Sequence, residues 1–205
     1  MTEQKNPGTT RPYRMGRRLE TVEETRERIA KATYELHATI GPAKTTISAV
    51  AERAGVQRHT VYNHFPDLRS LFQACTEHGI RVTRMPDPSA WHPIADPLTR
   101  LKTALTDLYG YYRVNARLMS NVLRDMPMFA DVGGDEEYHD RVGRMHATLT
   151  DGWAVDEAAR PALETAIGHA MAFETWRSLT EPGLSDDQAR DMMLGFVTGI
   201  AEPSG

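Results

Sequence analysis

The run QRHTVYNH, from Gln57 to His64, contains the side chains of this sequence best suited to binding another molecule. It offers arginine, histidine, threonine, tyrosine and asparagine, and no carboxylate follows before Asp67. An ordinary solvent-exposed helix would mix Glu with Lys, whereas these side chains can bind phosphate oxygens and base edges. We therefore predict base contacts for Gln57, Arg58 and His59, at the start of the run.

Two short helices joined by a tight turn are predicted to position these side chains. The apolar residues of the first helix recur at i, i+3, i+4 and i+7 and form one stripe: Ile47, Val50, Ala51 and Ala54. Gly55 can adopt a left-handed conformation and end this helix. In the second helix Val61 and Phe65 face inward, which leaves the polar side chains exposed.

Further helices are predicted on either side of this pair. The preceding helix begins at Thr21, where Glu24 completes a capping box, and ends at Gly41. Its apolar face is predicted to contain Val22, Ile29, Leu36 and Ile40. Thr45 or Thr46 caps the next helix. A fourth helix begins at Asp67, runs to about Arg84, and buries a stripe of four residues: Leu68, Leu71, Phe72 and Cys75.

The first 20 residues are predicted to form a flexible basic arm. Arginine is concentrated there, at Arg11, Arg14, Arg17 and Arg18. Such an arm can follow phosphates or enter the minor groove, although it could also be a solubilising tail. Residues 1–75 carry 12 Lys and Arg against 8 Asp and Glu, whereas residues 76–205 carry 12 against 20. The basic charge is therefore concentrated in the part predicted to bind DNA.

Between about residues 20 and 75 the chain resembles the tetracycline-repressor (TetR) family of bacterial transcription regulators. The resemblance is carried by TTISAVAERAGVQRHTVYNHFPDLRSLF, preceded by a helix and Gly41. It implies phosphate contacts for Thr46, Thr60, Tyr62 and His64. From the residues alone, Tyr62 could instead pack its ring in the core.

The chain departs from the family pattern at two positions. Family members commonly have Ser or Thr where Gln57 stands, and a phosphate-binding Lys where Leu68 stands. Arg69 is the candidate replacement for that lysine. Lys44 and Asn63 are further candidates for contacts with the DNA backbone.

The C-terminal region is also predicted to be helical. A loop with four prolines spans residues 85–97, and helices are expected from Leu98 to about Asn115, over 116–125, over 135–152, from Pro161 to Leu179, and from Ser185 to Ile200. Large apolar and aromatic residues could line an adaptable pocket or simply form the core. The candidates are Trp91, Tyr109, Tyr112, Met119, Leu123, Met126, Phe129, Met145, Trp153, Phe173 and Trp176. The resemblance implies a small-molecule pocket among these helices.

The last two predicted helices carry small residues that allow close helix packing. The candidates for a four-helix dimer interface are Ala162, Ala166, Ala170, Phe173, Gly195, Val197 and Gly199. Packing within one domain would explain the same pattern. The resemblance implies dimerisation through the last two long helices.

Other classes of function lack a sequence signature. There is no glycine-rich phosphate loop and no nucleophile elbow, so catalysis is not expected. The spacing of His139 and His146 is unusual for a metal site, and neither a metal nor a cofactor is predicted. One cysteine, and no apolar run of about 18 residues, indicate a cytoplasmic protein without a membrane segment.

We therefore predict an all-α protein with an N-terminal three-helix helix-turn-helix DNA-binding domain and a C-terminal helical ligand-binding and dimerisation domain. The expected divisions are 1–20, 21–66, a connecting helix over 67–84, and 85–205. The predicted function is ligand-responsive transcriptional regulation. A homodimeric repressor would bind pseudo-palindromic double-stranded operator DNA. A small-molecule effector would shift the connecting helix and so release the repressor from the DNA. The alternatives are a ligand-independent DNA-binding protein and a small helical enzyme.

Overall fold

A computed structural model of the chain describes residues 11–132 and 136–201, with side chains described from residue 20 onward. The described residues form nine α-helices and no strand, which confirms the all-α prediction. The helices are α1 (Arg11–Thr39), α2 (Ile47–Ala54), α3 (Arg58–His64), α4 (Leu68–Thr83), α5 (Pro97–Asp125), α6 (Glu136–Thr150), α7 (Arg160–Met171), α8 (Phe173–Thr180) and α9 (Asp186–Ala201). Short 3-10 helices cover Pro42–Lys44, Pro88–Ala90 and Met126–Phe129. No described helix combines the length and apolarity needed to cross a membrane.

The first four helices share one hydrophobic core. Its buried residues are Ile29, Ala30, Ala32, Val50, Ala51, Ala54, Val61, Phe65, Leu71 and Ala74. The apolar stripes predicted for α2 and α3 are therefore the buried faces of these helices. Because α4 contributes Leu71 and Ala74 to this core, it packs as part of the N-terminal unit and not as a separate strut.

A second, larger core surrounds α5. It joins α5 to α6, α7, α8 and α9 and includes the fully buried Leu101, Leu105, Leu108 and Tyr109. Several large side chains that could have lined a pocket belong to this core. Packing of this kind removes apolar surface from water and is the main favourable contribution to folding.

The start of α1 differs from the prediction. The helix begins at Arg11, so the expected flexible arm is wrong for residues 11–20, and residues 1–10 lie outside the described part. Pro12 stands in the first turn, where its missing N–H costs no hydrogen bond. Thr21 and Glu24 lie inside the helix, so Thr21 is not its N-cap. Of the predicted apolar face, Ile29 is buried, whereas Val22 and Ile40 are exposed.

Two predicted helix boundaries in the C-terminal region are also wrong. The expected break near Asn115 does not occur, because α5 continues to Asp125; the Asn115 side chain is accommodated in the helix by donating from Nδ2 to the Tyr111 carbonyl. Conversely, the expected helix from Pro161 to Leu179 breaks at Ala172, which has an extended backbone (φ −71°, ψ 137°).

Tyrosines of α5 stabilise the end of α7 at that break. The Tyr109 hydroxyl donates to the Ala170 carbonyl at 2.9 Å, and the Tyr112 hydroxyl donates to the Met171 carbonyl at 2.5 Å. The last carbonyls of a helix lack partners within the helix, so these bonds satisfy two of them.

Candidate functional site

The helix-turn-helix has the local geometry that the sequence predicted. Thr46 caps α2, since its hydroxyl oxygen accepts a hydrogen bond from the Ala49 N–H at 3.1 Å. Gly55 ends α2 in the left-handed conformation (φ 65°, ψ 38°), which lets the chain turn directly into α3. Asp67 caps α4 by accepting from the Ser70 N–H at 2.8 Å.

The outer face of α3 presents the predicted base-contacting residues. Gln57, Arg58 and His59 are exposed, and the Gln57 side chain makes no cap hydrogen bond, so it remains available to a base. Tyr62 is 50% exposed, which excludes the alternative that its ring packs in the core. The remaining candidates near this face are exposed or partly buried: Lys44, Thr46, Thr60, Asn63 and His64.

Arg26 of α1 fixes the end of α3 and was missed from the sequence. Its Nη1 donates to the His64 carbonyl at 3.1 Å, and its guanidinium lies 4.4 Å from the centroid of the Phe65 ring. The hydrogen bond and the cation–π contact together orient the recognition helix on α1. Arg26 and His64 are 38 residues apart, so no local pattern indicates the contact.

The start of α4 carries two exposed side chains, Leu68 and the candidate phosphate contact Arg69. Leu68 is 42% exposed, so its assignment to the buried stripe is wrong. Arg69 donates to Glu136 of α6 at 2.7 Å, and both side chains are more than half exposed. Such a surface pair is weak, so phosphate could compete for Arg69. The side chains of Arg14, Arg17 and Arg18 lie outside the described residues.

A cavity of about 450 Å³ lies between the N-terminal unit and the C-terminal domain. Residues of α1 and α4 form one wall, and residues of α5, the 126–129 turn and α6 form the other. Of the predicted pocket residues, the cavity includes Met119, Leu123, Met126 and Phe129. The others are buried in the core and do not line it: Trp91, Tyr109, Tyr112, Met145, Trp153, Phe173 and Trp176.

The wall contributed by α1 and α4 was missed from the sequence. It includes Tyr34, His37, Phe72, Cys75, Thr76 and Ile80. The Phe72 ring lies 5.2 Å from the His37 ring and 5.2 Å from the Phe129 ring, in edge-to-face arrangements. The Phe72–Phe129 contact connects the two walls directly.

Burial keeps the two titratable groups beside Phe72 uncharged. Desolvation lowers the pKa of His37 from 6.5 to about 4, against the opposing effect of the Asp125 carboxylate. Burial also raises the pKa of the Cys75 thiol to about 12. At neutral pH this side of the cavity therefore presents a neutral imidazole and a thiol.

We predict a measurable acid sensitivity from His37. Above pH 6.5 the imidazole is neutral in the folded and unfolded chains; as the pH falls toward about 4, only the unfolded chain binds the proton, so folding free energy is lost. The loss amounts to about 2 kcal/mol at pH 5. His37→Gln cannot ionise, and should lose about 2 kcal/mol less stability than wild type between pH 7 and pH 5 in urea unfolding. Equal losses would contradict the neutral burial of His37.

Three side chains of α5, those of Arg117, Asn121 and Asp125, form hydrogen bonds at the end of α1. We call this contact the α1–α5 junction. Arg117 donates to the Thr39 carbonyl at 2.7 Å, and Asn121 donates to the carbonyls of residues 37 and 38 at 3.2 and 3.1 Å. The Asp125 carboxylate accepts from the N–H of residue 43 at 3.0 Å. The junction thus satisfies the C-terminal carbonyls of α1 and links the cavity wall to the DNA-binding helices.

Gly41 permits the close approach at this junction. It has a positive φ of 90°, and a Cβ at this position would overlap with the side chains of Arg124 and Asp125. Only glycine meets both the conformational and the steric requirement.

The predicted dimer-interface residues divide into two groups. Ala166, Ala170, Phe173 and Val197 are buried within the chain, which favours the alternative of packing within one domain over a dimer contact for these four residues. The faces that carry them pack within the C-terminal core. Ala162, Gly195 and Gly199 are exposed. Beside the two glycines lie Met192 and Phe196, with 52% and 50% of their surfaces exposed, and neither was predicted from the sequence.

An exposed polar recognition helix in a unit that faces a helical domain across a cavity is the arrangement of a helix-turn-helix transcriptional regulator. Residues 29–75 match the family model described as bacterial regulatory proteins, tetR family. The chain is 30% identical over 199 residues to the HTH-type transcriptional repressor Rv3405c of Mycobacterium tuberculosis, with 96% of this chain and 90% of that protein covered. The chain belongs to the TetR family of DNA-binding transcriptional regulators, which are typically ligand-responsive repressors.

Solved structures share this fold. One is NalD, the secondary repressor of the MexAB-OprM multidrug efflux pump in Pseudomonas aeruginosa, with 22% identity, coverage of 88% of this chain and 96% of that chain, and a TM-score of 0.56. Another is a TetR-like regulator from Rhodococcus sp. RHA1, with 18% identity, coverage of 86% and 96%, and a TM-score of 0.62.

Proposed function

We propose that this chain is a repressor that binds a pseudo-palindromic operator as a homodimer and is released when a small molecule occupies the cavity. On this view it acts by binding and not by catalysis, in the cytoplasm. The exposed face of α3 contacts bases, and each recognition helix enters one major groove. The half-sites are then about one helical turn, roughly 34 Å, or a multiple of it apart.

The position of the cavity carries this proposal. One wall belongs to α1 and α4, which share a core with the recognition helix, and the opposite wall belongs to α5 and α6. A molecule that separates the walls therefore moves the DNA-binding helices as a unit relative to the dimerisation helices. The division into α1–α3, the connecting helix α4 and the domain from residue 85 remains part of this proposal, with α4 packed on the core of α1–α3.

The α1–α5 junction is the contact that a movement of the DNA-binding unit would have to change. Its three side chains hold the end of α1 in the described position, and a shift of α1 must break or exchange those hydrogen bonds. An effector can drive such a shift only if it binds the second position more tightly, with a coupling typically of about 1–3 kcal/mol.

Filling the cavity with a side chain tests the proposed function. Val122 lines the cavity from α5, so Val122→Trp places an indole where an effector would lie. We expect operator affinity to fall by about 5- to 150-fold, the range of typical allosteric couplings. The measurement is fluorescence anisotropy on an operator selected from random DNA by the wild-type protein.

Val114→Trp is the matched control, because Val114 is on the same helix and 83% exposed. It should bind the operator like wild type. Wild-type affinity in the folded Val122→Trp protein would contradict control of DNA binding by the cavity.

A further inference from the structure

The cavity lining has a uniform chemical character. It is mostly aliphatic and aromatic, and no Asp, Glu, Lys or Arg is among the described residues that form it. Three methionines, Met85, Met119 and Met126, can adapt their shape to a flat ring and contact its edge. A charged molecule would lose its hydration there without gaining a countercharge, which is strongly unfavourable.

His37 supplies a buried polar atom that lacks a partner. Only 5% of the residue is exposed, and its Nε2 has no hydrogen bond to any part of the chain that the structure describes. The other ring nitrogen, Nδ1, lies 3.5 Å from the Cys75 Sγ. An unpaired buried polar group is costly, so a ligand that satisfies Nε2 binds more tightly than one that cannot.

The partner of Nε2 should be able to donate as well as accept. If the Cys75 thiol donates to Nδ1, Nε2 carries the proton and donates; if Nδ1 donates to sulfur, Nε2 accepts. A hydroxyl group can satisfy either tautomer. The Phe72 ring lies 5.2 Å from the His37 ring, and the Phe129 ring packs against Phe72, so this part of the cavity suits an aromatic body attached to that hydroxyl.

The volume limits the size of that body. A dry apolar cavity of about 150 Å³ holds one benzene molecule. The cavity of about 450 Å³ therefore has room for two or three rings.

We propose that the effector is an uncharged hydroxylated aromatic molecule of two or three rings whose hydroxyl hydrogen-bonds to Nε2 of His37. This assignment rests on the proposed function, in which the cavity is the effector site. It names His37, on the DNA-binding side of the cavity, as the residue that determines specificity. The effector then contacts α1 directly, one residue before Ala38, whose carbonyl the α1–α5 junction holds.

Three probes of matched shape test this chemistry on the full-length protein by isothermal titration calorimetry. The probes are 2-naphthol, naphthalene and 2-naphthoate. We expect 2-naphthol to bind at least about tenfold more tightly than either of the others, because only it satisfies Nε2 without bringing a charge. Equal or tighter binding of 2-naphthoate, or the absence of 2-naphthol binding, would overturn the proposal.

Variants at His37 test whether its Nε2 causes the preference for 2-naphthol over naphthalene. His37→Phe keeps an aromatic ring but removes Nε2, so the preference for 2-naphthol over naphthalene should disappear. His37→Gln retains a hydrogen-bonding group and should preserve part of the preference for 2-naphthol. His78→Gln is the control, because His78 is buried against Glu27 and does not line the cavity. An undiminished preference in His37→Phe would also overturn the proposal.

Two measurements on the wild-type protein test the proposal even if the His37 variants do not fold. The first is the comparison of the three probes. The second is NMR: 2-naphthol should change the ¹⁵N chemical shift of His37 Nε2, and an unchanged shift would contradict the proposal.

Measurements of operator affinity distinguish a failure of the proposed ligand chemistry from a failure of the proposed function. Binding of 2-naphthol without DNA release would support the site chemistry but count against the proposed function. Release by 2-naphthoate as the tightest ligand would overturn the chemistry and leave the function standing.

Discussion

The Phe196→Glu variant is expected to be monomeric and to bind the operator about 100- to 10,000-fold more weakly than wild type. Phe196 and Met192 form an exposed apolar stripe on α9, next to Gly195 and Gly199. An exposed stripe of this kind indicates a protein contact, and a two-fold axis would place it against its own copy. A carboxylate there would face its symmetry mate and remain desolvated in any dimer. The monomer then holds only one half-site and loses the gain from bivalent binding.

Val114→Glu is the control for this variant, since Val114 is another exposed apolar residue but lies on α5. It should remain a dimer with wild-type operator affinity. Analytical ultracentrifugation gives the oligomeric state, and fluorescence anisotropy gives the affinity. A dimeric Phe196→Glu protein would show that the exposed α9 stripe is not the interface.

The Arg58→Ala variant is expected to lose about 2–6 kcal/mol of operator-binding free energy. An arginine that holds guanine with two hydrogen bonds contributes about 1–3 kcal/mol of discrimination, and a dimer carries the residue twice. Arg58 is exposed in the first turn of α3, and its side chain is free to enter a major groove. The loss should be confined to operators that retain one particular base pair in each half-site. Its size and sequence dependence can be measured by titrating the variant against single-base-pair operator substitutions.

Arg53→Ala is the matched control for Arg58→Ala. Arg53 is also an exposed arginine of the helix-turn-helix, but its Nε donates to Glu35 at 2.7 Å. This variant should reduce affinity only weakly and equally for all operator sequences. If Arg58→Ala instead weakened all sequences equally, Arg58 would be a phosphate contact and its assignment to base recognition would fail.

The helix-turn-helix was predictable because short-range interactions determine it. The stripe of α2, the left-handed Gly55 and the Asp67 cap each involve residues within a few positions of one another, so their spacing is visible in the sequence. The buried Val61 and Phe65 follow from the same periodicity. Even so, the start of α1 was misplaced, since Pro12 and Gly16 suggest a break upstream of Thr21, whereas the helix includes both residues.

The cavity was only partly predictable because it forms between distant segments. The contact of His37 with Cys75 spans 38 residues, and that of Asp125 with residue 43 spans 82. Large aromatic residues look alike in sequence whether they line a cavity or fill a core. Tyr109 and Tyr112 were expected in the pocket, yet their hydroxyls satisfy the end of α7. The small residues of α7 were ambiguous for the same reason, since periodicity does not reveal which side a helix buries.

The central claim is that filling the cavity changes the separation of the two recognition helices in the dimer. Spin labels at position 52, in Glu52→Cys combined with Cys75→Ser, would report this distance, because Glu52 is exposed on α2 and the cavity-lining thiol is then removed. Pulsed dipolar electron paramagnetic resonance then compares the Val122→Trp and Val114→Trp dimers. We predict that the mean label separation differs between them by roughly 1–5 Å, the scale of known helix shifts. Identical distance distributions in the two dimers would contradict the claim.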